Sequence, residues 1–248
     1  MTSEQILTSV ENQVFEIQIN RPEKLNALTD QMYASLVASL QAAEKEPNVK
    51  VILLRSSGAH FSSGNDLKDF LETDFNLESN VIQFLKTMAG LTKPIIAAVN
   101  GAAVGIGTTM LLHCDLVYAA KDLKSSVPFI KLSLTPEGAS SQLLAKRCGE
   151  LKANEWLMTG RTVLADEALS SGLVNLVYED EQALWDGARA TAEKLAKSSK
   201  EVLLATKKLL KGDQIEAVLS LIDKEALVFE QQLNSDEAKA AFKAFLGG

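Results

Sequence analysis

Three glycines, Gly101, Gly105 and Gly107, fall within seven residues, after the apolar run Ile95–Val99 and before a uniformly apolar block at 108–114. This pattern predicts a buried strand, a glycine-rich turn and the start of a buried helix. Glycine lets a backbone come close to a ligand. The first turn of a helix offers unpaired N–H groups and a positive dipole end. Together they suit an anion, or an oxygen that becomes one during a reaction. The same glycines serve equally well for tight packing of helix on strand. A second stretch, FSSGNDL at 61–67, also puts small residues at the end of a buried strand. Two N–H groups from two such turns can converge on one carbonyl oxygen, which is how an oxyanion hole is built.

Other chemistries find less support. Gly105-Ile106-Gly107 is no dinucleotide fingerprint, because Met110 occupies the third glycine position. No phosphate loop of the GK[ST] type is present. Ser62 and Ser63 lack the G-x-S-x-G setting of a nucleophile. His113 lies among Leu111, Leu112 and Cys114 and reads as a core histidine. His60 reads as a solvated turn residue, and Lys207, Lys208 and Lys211 as a solvated helix face.

The 248 residues carry a net charge of −7 and no dense basic stripe, which argues against nucleic acid as a partner. Two cysteines and two histidines show no metal-ligand spacing, so no metal is expected, and unpaired cysteines fit a reducing compartment. No apolar run is long enough to span a bilayer. The first residues lack a leader pattern and the last four, FLGG, are no peroxisomal signal. The expectation is a globular cytoplasmic protein that does not contact membranes.

The elements that must hold the two turns follow from periodicity. Residues 6–10 and 14–19 predict a hairpin, and Arg21-Pro22 ends it. RPEKLNAL at 21–28 is a loop, and Thr29 caps a helix that runs to about 43. A buried strand spans 49–55. Residues 68–80 lack a clear period and predict a mobile, partly helical stretch. A helix covers 81–91, a strand 115–119, and a short extended piece 127–130. TPEGASS at 135–141 is a loop leading into a helix at 140–146. Further helices are predicted at 151–158 and 165–170, and a strand at 173–177. From 181 onward the chain is helical, at about 183–197, 200–211, 214–233 and 235–246. The apolar faces there (Leu219, Ile222, Leu227, Phe229, Phe242, Phe245) suit either internal packing or a subunit interface.

The order RPEKLNAL, FSSGNDL, KPIIAAVNGAAVGIG, CDLVYAA, PEG and then C-terminal helices resembles the crotonase (enoyl-CoA hydratase/isomerase) superfamily over nearly the whole chain. The resemblance implies an α/β spiral of ββα units over 1–180 and, without a linker, a helical trimerisation region over 181–248. It implies acyl-coenzyme A thioesters as substrates and no separate cofactor. It places the two oxyanion-hole N–H groups at Ser63 and Ile106. Coenzyme A is expected against Lys24, Leu25, Ala27, Ser63, Gly64, Asn65, Asp66 and Leu67. Lys24 suits a nucleotide phosphate or plain solvent. The acyl chain is expected near Leu67, Phe70, Phe75 and Phe129, with Phe84 and Met88 read as core. A homotrimer or a dimer of trimers is implied.

Which reaction is run depends on carboxylates. The superfamily's hydratases use two glutamates, at positions that here hold Thr109 and Phe129. Adding water needs one group to activate it and one to supply a proton, so hydration is not expected. Glu137, in TPEGASS, resembles the single catalytic glutamate of the peroxisomal-type Δ3,Δ2-enoyl-CoA isomerases. By itself it reads as a first-turn acid favoured by a helix dipole. As an isomerase base it needs a raised pKa, which apolar neighbours such as Phe129 can supply. Another crotonase reaction (a ring isomerase, a lyase, weak hydration) or a non-catalytic acyl-CoA-binding scaffold are the alternatives.

Overall fold

Apolar runs with β-branched residues build a six-stranded sheet at the centre of the computed structural model, which describes residues 4–247. β1 (Ile6–Glu11) and β2 (Val14–Ile19) form the predicted antiparallel hairpin, turned by Asn12 and Gln13, both at positive φ. β3 (Val51–Ser56), β4 (Ile95–Val99), β6 (Leu116–Ala120) and β9 (Leu176–Tyr178) then add in parallel, in the order β1-β2-β3-β4-β6-β9. A smaller sheet contains β5 (Ala102–Val104), β7 (Lys124–Ser126) and β8 (Val163–Leu164). Isolated bridges, Leu28 to Asn65 and Ser62 to Ala103, extend its pattern. Successive turns of the chain therefore place a strand in the large sheet, an extended piece beside the small one, and then a helix.

The helices pack where their apolar faces dictate. α1 (Asp30–Lys45) starts at the expected cap, with Thr29 Oγ1 accepting the Met32 N–H at 3.3 Å. α2 (Leu67–Glu72) is capped by Asp66, and α3 (Asn80–Gly90) buries Val81, Ile82, Phe84, Leu85 and Met88. α8 (Glu181–Ala196) covers one face of the large sheet. Its Leu184, Ala188, Ala192 and Ala196, four apart, lie on Val51, Leu53, Ile96 and Ala98. Strands covered on both faces explain why β3 and β4 read as continuous apolar runs.

Several elements differ from expectation. The block after the glycines divides into α4 (Ile106–Thr109) and a 3-10 turn at Met110–His113. Residues Phe129–Leu132 wind into a 3-10 turn instead of an extended piece; Pro128 has no N–H to pair in a strand, and Ser133 closes the turn at φ 57°. The last strand begins at Leu176, because Leu173 and Val174 are buried in the loop after α7 (Ala165–Ser170). His60 is half-buried and not a purely solvated turn residue: its Nδ1 accepts the Ala102 N–H at 3.1 Å. Lys207 and Lys211 are likewise not free, both pairing with Asp115, at 2.8 and 2.7 Å. Only Lys208 is an exposed lysine of the predicted kind.

α5 (Ser140–Cys148) and α6 (Glu150–Thr159) follow the TPEGASS loop. α9 (Lys200–Lys211), α10 (Ile215–Leu233) and α11 (Asp236–Leu246) complete the chain. α10 lies against α3. Ile222, Phe229 and Phe242 turn into the core, whereas Leu227 and Phe245 stay exposed. The helical region is thus partly wall of the main core.

Candidate active site

The two turns singled out in the sequence run side by side. Ser62 donates its N–H to Ala102 O at 3.0 Å, and Val104 donates to Ser62 O at 2.9 Å. Glycine is required where they touch: a Cβ on Gly64 would sit 2.9 Å from Val104 O, and one on Gly107 would sit 2.8 Å from Ser62 O. Gly64 also holds φ 97°.

The available N–H groups differ by two residues from the expectation. Ser63 donates its N–H to Leu25 O at 3.0 Å and so has no backbone N–H left for an oxygen. The Asn65 and Ile106 N–H groups find no acceptor among the described residues. Asn65 is fixed in place by its side chain, whose Oδ1 accepts a short hydrogen bond from the buried Tyr33 phenol on α1. Ile106 opens α4, so its N–H is one of the unpaired groups of a helix start.

Glu137 points into the same region. It is 6% exposed, and its Oε1 accepts a 2.5 Å hydrogen bond from Thr109 Oγ1. Thr109 lies one turn along α4 from Ile106, a rise of ~4.5 Å. Oε2 has no partner. Burial is the main cause that pushes the Glu137 carboxyl up to about 8; the Thr109 bond works against it, and the charge of Glu225 adds to it. The loop that carries the acid is anchored by two successive left-handed residues, Gly138 at φ 70° and Ala139 at φ 60°. His113 Nε2 donates to Gly138 O at 2.9 Å. Burial lowers the His113 pKa to about 4, so the ring stands neutral under the loop as a donor.

Around these groups the expected binding residues sort into two sets. Lys24 and Leu25 are exposed at the rim, beside the 63–66 segment. The 21–28 loop is zipped to that segment: Leu28 donates to Gly64 O and Asp66 to Leu28 O, each at 2.8 Å. Asp66 is occupied within the protein, paired with Arg21 at 2.8 Å and capping α2. Fully buried Asn26 ties the loop down, donating to Ser57 O and His60 O and accepting from the Arg21 N–H. Asn26 holds φ 55°, a conformation asparagine tolerates, and an asparagine in a breaker loop was its only sequence signal.

Phe70, Phe75 and Phe129 do come together, on a ring the site expectation omitted. Their centroids lie 6.2, 5.1 and 6.4 Å from that of Phe229, which α10 supplies. The cleft bounded by Leu28, Tyr33, Phe70 and Phe75 holds only about 10 Å³. An acyl group entering there has to move these rings. Phe84 and Met88 are core. Among the described residues no group of three or more His, Cys, Asp or Glu could hold a metal ion.

The sequence profile described as enoyl-CoA hydratase/isomerase matches residues 9–247. The chain belongs to this family. Among solved structures, OdaA of Pseudomonas aeruginosa superposes with a TM-score of 0.96 at 38% identity, covering 99% of this chain and 100% of that one. An enoyl-CoA hydratase/isomerase of Pseudoalteromonas atlantica gives 0.94 at 38% identity, covering 98% and 97%. By sequence, a probable enoyl-CoA hydratase of Bacillus subtilis is 31% identical over 97% of this chain and 95% of its own length. Human enoyl-CoA delta isomerase 2 is 32% identical over 98% of this chain and 63% of its own length. The crotonase fold is therefore established, and with it an enzyme of the enoyl-CoA hydratase/isomerase family acting on coenzyme A thioesters. Relatives named hydratase and isomerase are about equally similar, so the choice between the two reactions rests on the site. No helix among the described residues is long and apolar enough to cross a membrane.

Proposed function

We propose that this family member is a Δ3,Δ2-enoyl-CoA isomerase. The observation that carries the reading is Glu137: a buried carboxyl, held by Thr109 one helical turn from the Ile106 N–H, with one oxygen unpartnered. The Glu137 carboxylate removes a C2 proton from a 3-enoyl thioester. The electron pair of the broken C–H bond moves through the chain to the thioester oxygen, giving a dienolate. Glu137 then returns the same proton to C4 and the double bond lies between C2 and C3. Proton and charge balance, and no oxidant or cofactor enters; coenzyme A is part of the substrate. The Asn65 and Ile106 N–H groups hold the oxyanion, Asn65 taking the part expected of Ser63. Loss of one such donor typically costs about 3 kcal/mol of barrier.

Hydration is disfavoured by the same geometry. Thr109 donates to Glu137 where a hydratase has a carboxylate, and Phe129 packs towards Phe229. Coenzyme A lies along the rim formed by exposed Lys24 and Leu25 and the more buried Ala27 and residues 63–67, with the acyl group against Phe70, Phe75 and Phe129. We also propose a homotrimer or a dimer of trimers, supported by exposed apolar side chains such as Leu209, Leu151, Met158 and Phe245.

The test is ultraviolet assay of 3-enoyl-CoA conversion, with 2-enoyl-CoA hydration measured beside it. Wild type converts the first, and Glu137→Gln loses about 1,000-fold or more while still binding coenzyme A. Preferential water addition by wild type means a hydratase. Equal inertness of wild type and variant means a scaffold.

A further inference from the structure

α5 begins three residues after Glu137, and its N-cap residue, Ala139, has no side chain that can cap it. The cap comes from the other end of the sequence. Glu225 of α10 accepts the Ser141 N–H at 3.0 Å and the Ser141 hydroxyl at 2.5 Å, both on Oε1. Burial pushes the Glu225 carboxyl above its ordinary value, and the donors at the start of α5, Ser141 first, work against that rise and favour its charged form. Glu225 is 7% exposed, and its Oε2 has no hydrogen-bond partner among the described residues. Lys86, the lysine on the α3 side of α10, is paired with Asp223 at 2.6 Å. A serine or asparagine in the loop would satisfy the same N–H groups without burying a charge. A carboxylate that crosses between helices to do so needs another reason.

We propose that Glu225 is a positioning residue for Glu137: seated on the first amides of α5, it occupies the positive end of that helix and keeps a negative charge beside the base loop. The inference rests on the isomerase reading for its catalytic meaning, but not for its physical test. An uncovered helix start carries about half a positive charge and stabilises a nearby carboxylate. Three residues from α5, Glu137 would then ionise more easily and take up a substrate proton less readily. With Glu225 in that position, the charge Glu137 meets is repulsive. The other titratable groups around Glu137 are Tyr33 from α1 and neutral His113 beneath Gly138. α10 therefore serves the site twice on one face, with Glu225 against the base loop and Phe229, four residues on, against the acyl rings.

Glutamate carboxyl signals of the full-length protein, labelled with carbon-13 and assigned through Glu137→Gln, report the ionisation of Glu137 without any turnover. Glu225→Gln keeps an acceptor for Ser141 and removes the charge. Its expected result is a Glu137 midpoint lower by roughly half a unit or more, with the acid limb of kcat/KM moved the same way. An unmoved midpoint, or a uniform loss of rate without a shift in the pH profile, overturns the inference. If Glu225→Gln does not fold, wild type alone decides: coupled carboxyls each show a second inflection at the other's midpoint, and its absence overturns the proposal. Failure of wild type to isomerise 3-enoyl-CoA refutes the proposed reaction, while the carboxyl titration still tests the coupling of Glu225 to Glu137 independently.

Discussion

Replacing Glu137 by glutamine should change stability in a pH-dependent way that reports the burial of the acid. The folded protein holds the Glu137 proton to about 8, against an ordinary value of 4.5. Between those limits the folded state binds more protons than the unfolded one. The stabilisation from the protonated acid is therefore complete below pH 4.5 and is lost progressively as pH rises through 8. The interval corresponds to about 5 kcal/mol at full development. That is a ceiling, and relaxation of the loop and entry of water should leave roughly half of it. Glutamine has no charge to bury. At pH 5 the variant should be equal to wild type or ~1 kcal/mol less stable, because its amide N–H₂ finds no acceptor where Oε2 stood alone. At pH 9 it should be the more stable protein by roughly 2–3 kcal/mol. Urea unfolding followed by circular dichroism at pH 5, 7 and 9 measures the difference; titrating groups not coupled to Glu137 cancel between the two proteins, while Glu225 and Tyr33 feel the loss of its charge. Stability curves that run parallel from pH 5 to 9 would refute the reasoning, since Glu137 would then ionise as it does in water.

Three further outcomes follow from the same site. Isomerisation kcat/KM should rise about tenfold per pH unit below about 8 and level off above it, since the free enzyme must lose the Glu137 proton before acting as a base; a limb near 4.5 would contradict this in the pH profile. Tyr33→Phe leaves Asn65 Oδ1 without its phenol donor, and should lower kcat by roughly 10-fold with little change in KM and a stability loss of ~1–2 kcal/mol. Phe229→Leu removes the ring on which Phe70, Phe75 and Phe129 converge, and should shift the ratio of kcat/KM towards longer 3-enoyl chains; equal loss at all chain lengths would separate Phe229 from the acyl pocket.

The strands of the large sheet, most helices and the two turns were legible in the order of residues alone, whereas the short strands of the small sheet were not. β3, β4 and the hairpin are written in runs of apolar and β-branched residues, which bury in one way. Gly64 and Gly107 stand where two backbone segments approach closely, Gly64 also at positive φ, and their positions marked the turns before any contact was known. Glu137 and Thr109 were singled out by the resemblance to the crotonase superfamily; on composition alone Glu137 reads as an ordinary first-turn acid. Pairings between distant segments, by contrast, were settled only by folding. The two turns each offer several N–H groups, and only the docked 21–28 loop shows that Ser63 is used by Leu25 and that Asn65 is left. Lys207 and Lys211 look solvated in a helix face until Asp115, nearly a hundred residues earlier, lies beside them. Phe229 and Glu225 are ordinary residues of an amphipathic helix. Their place at the site depends on where α10 lands, and local periodicity determines which face of a helix is buried but not what it is buried against.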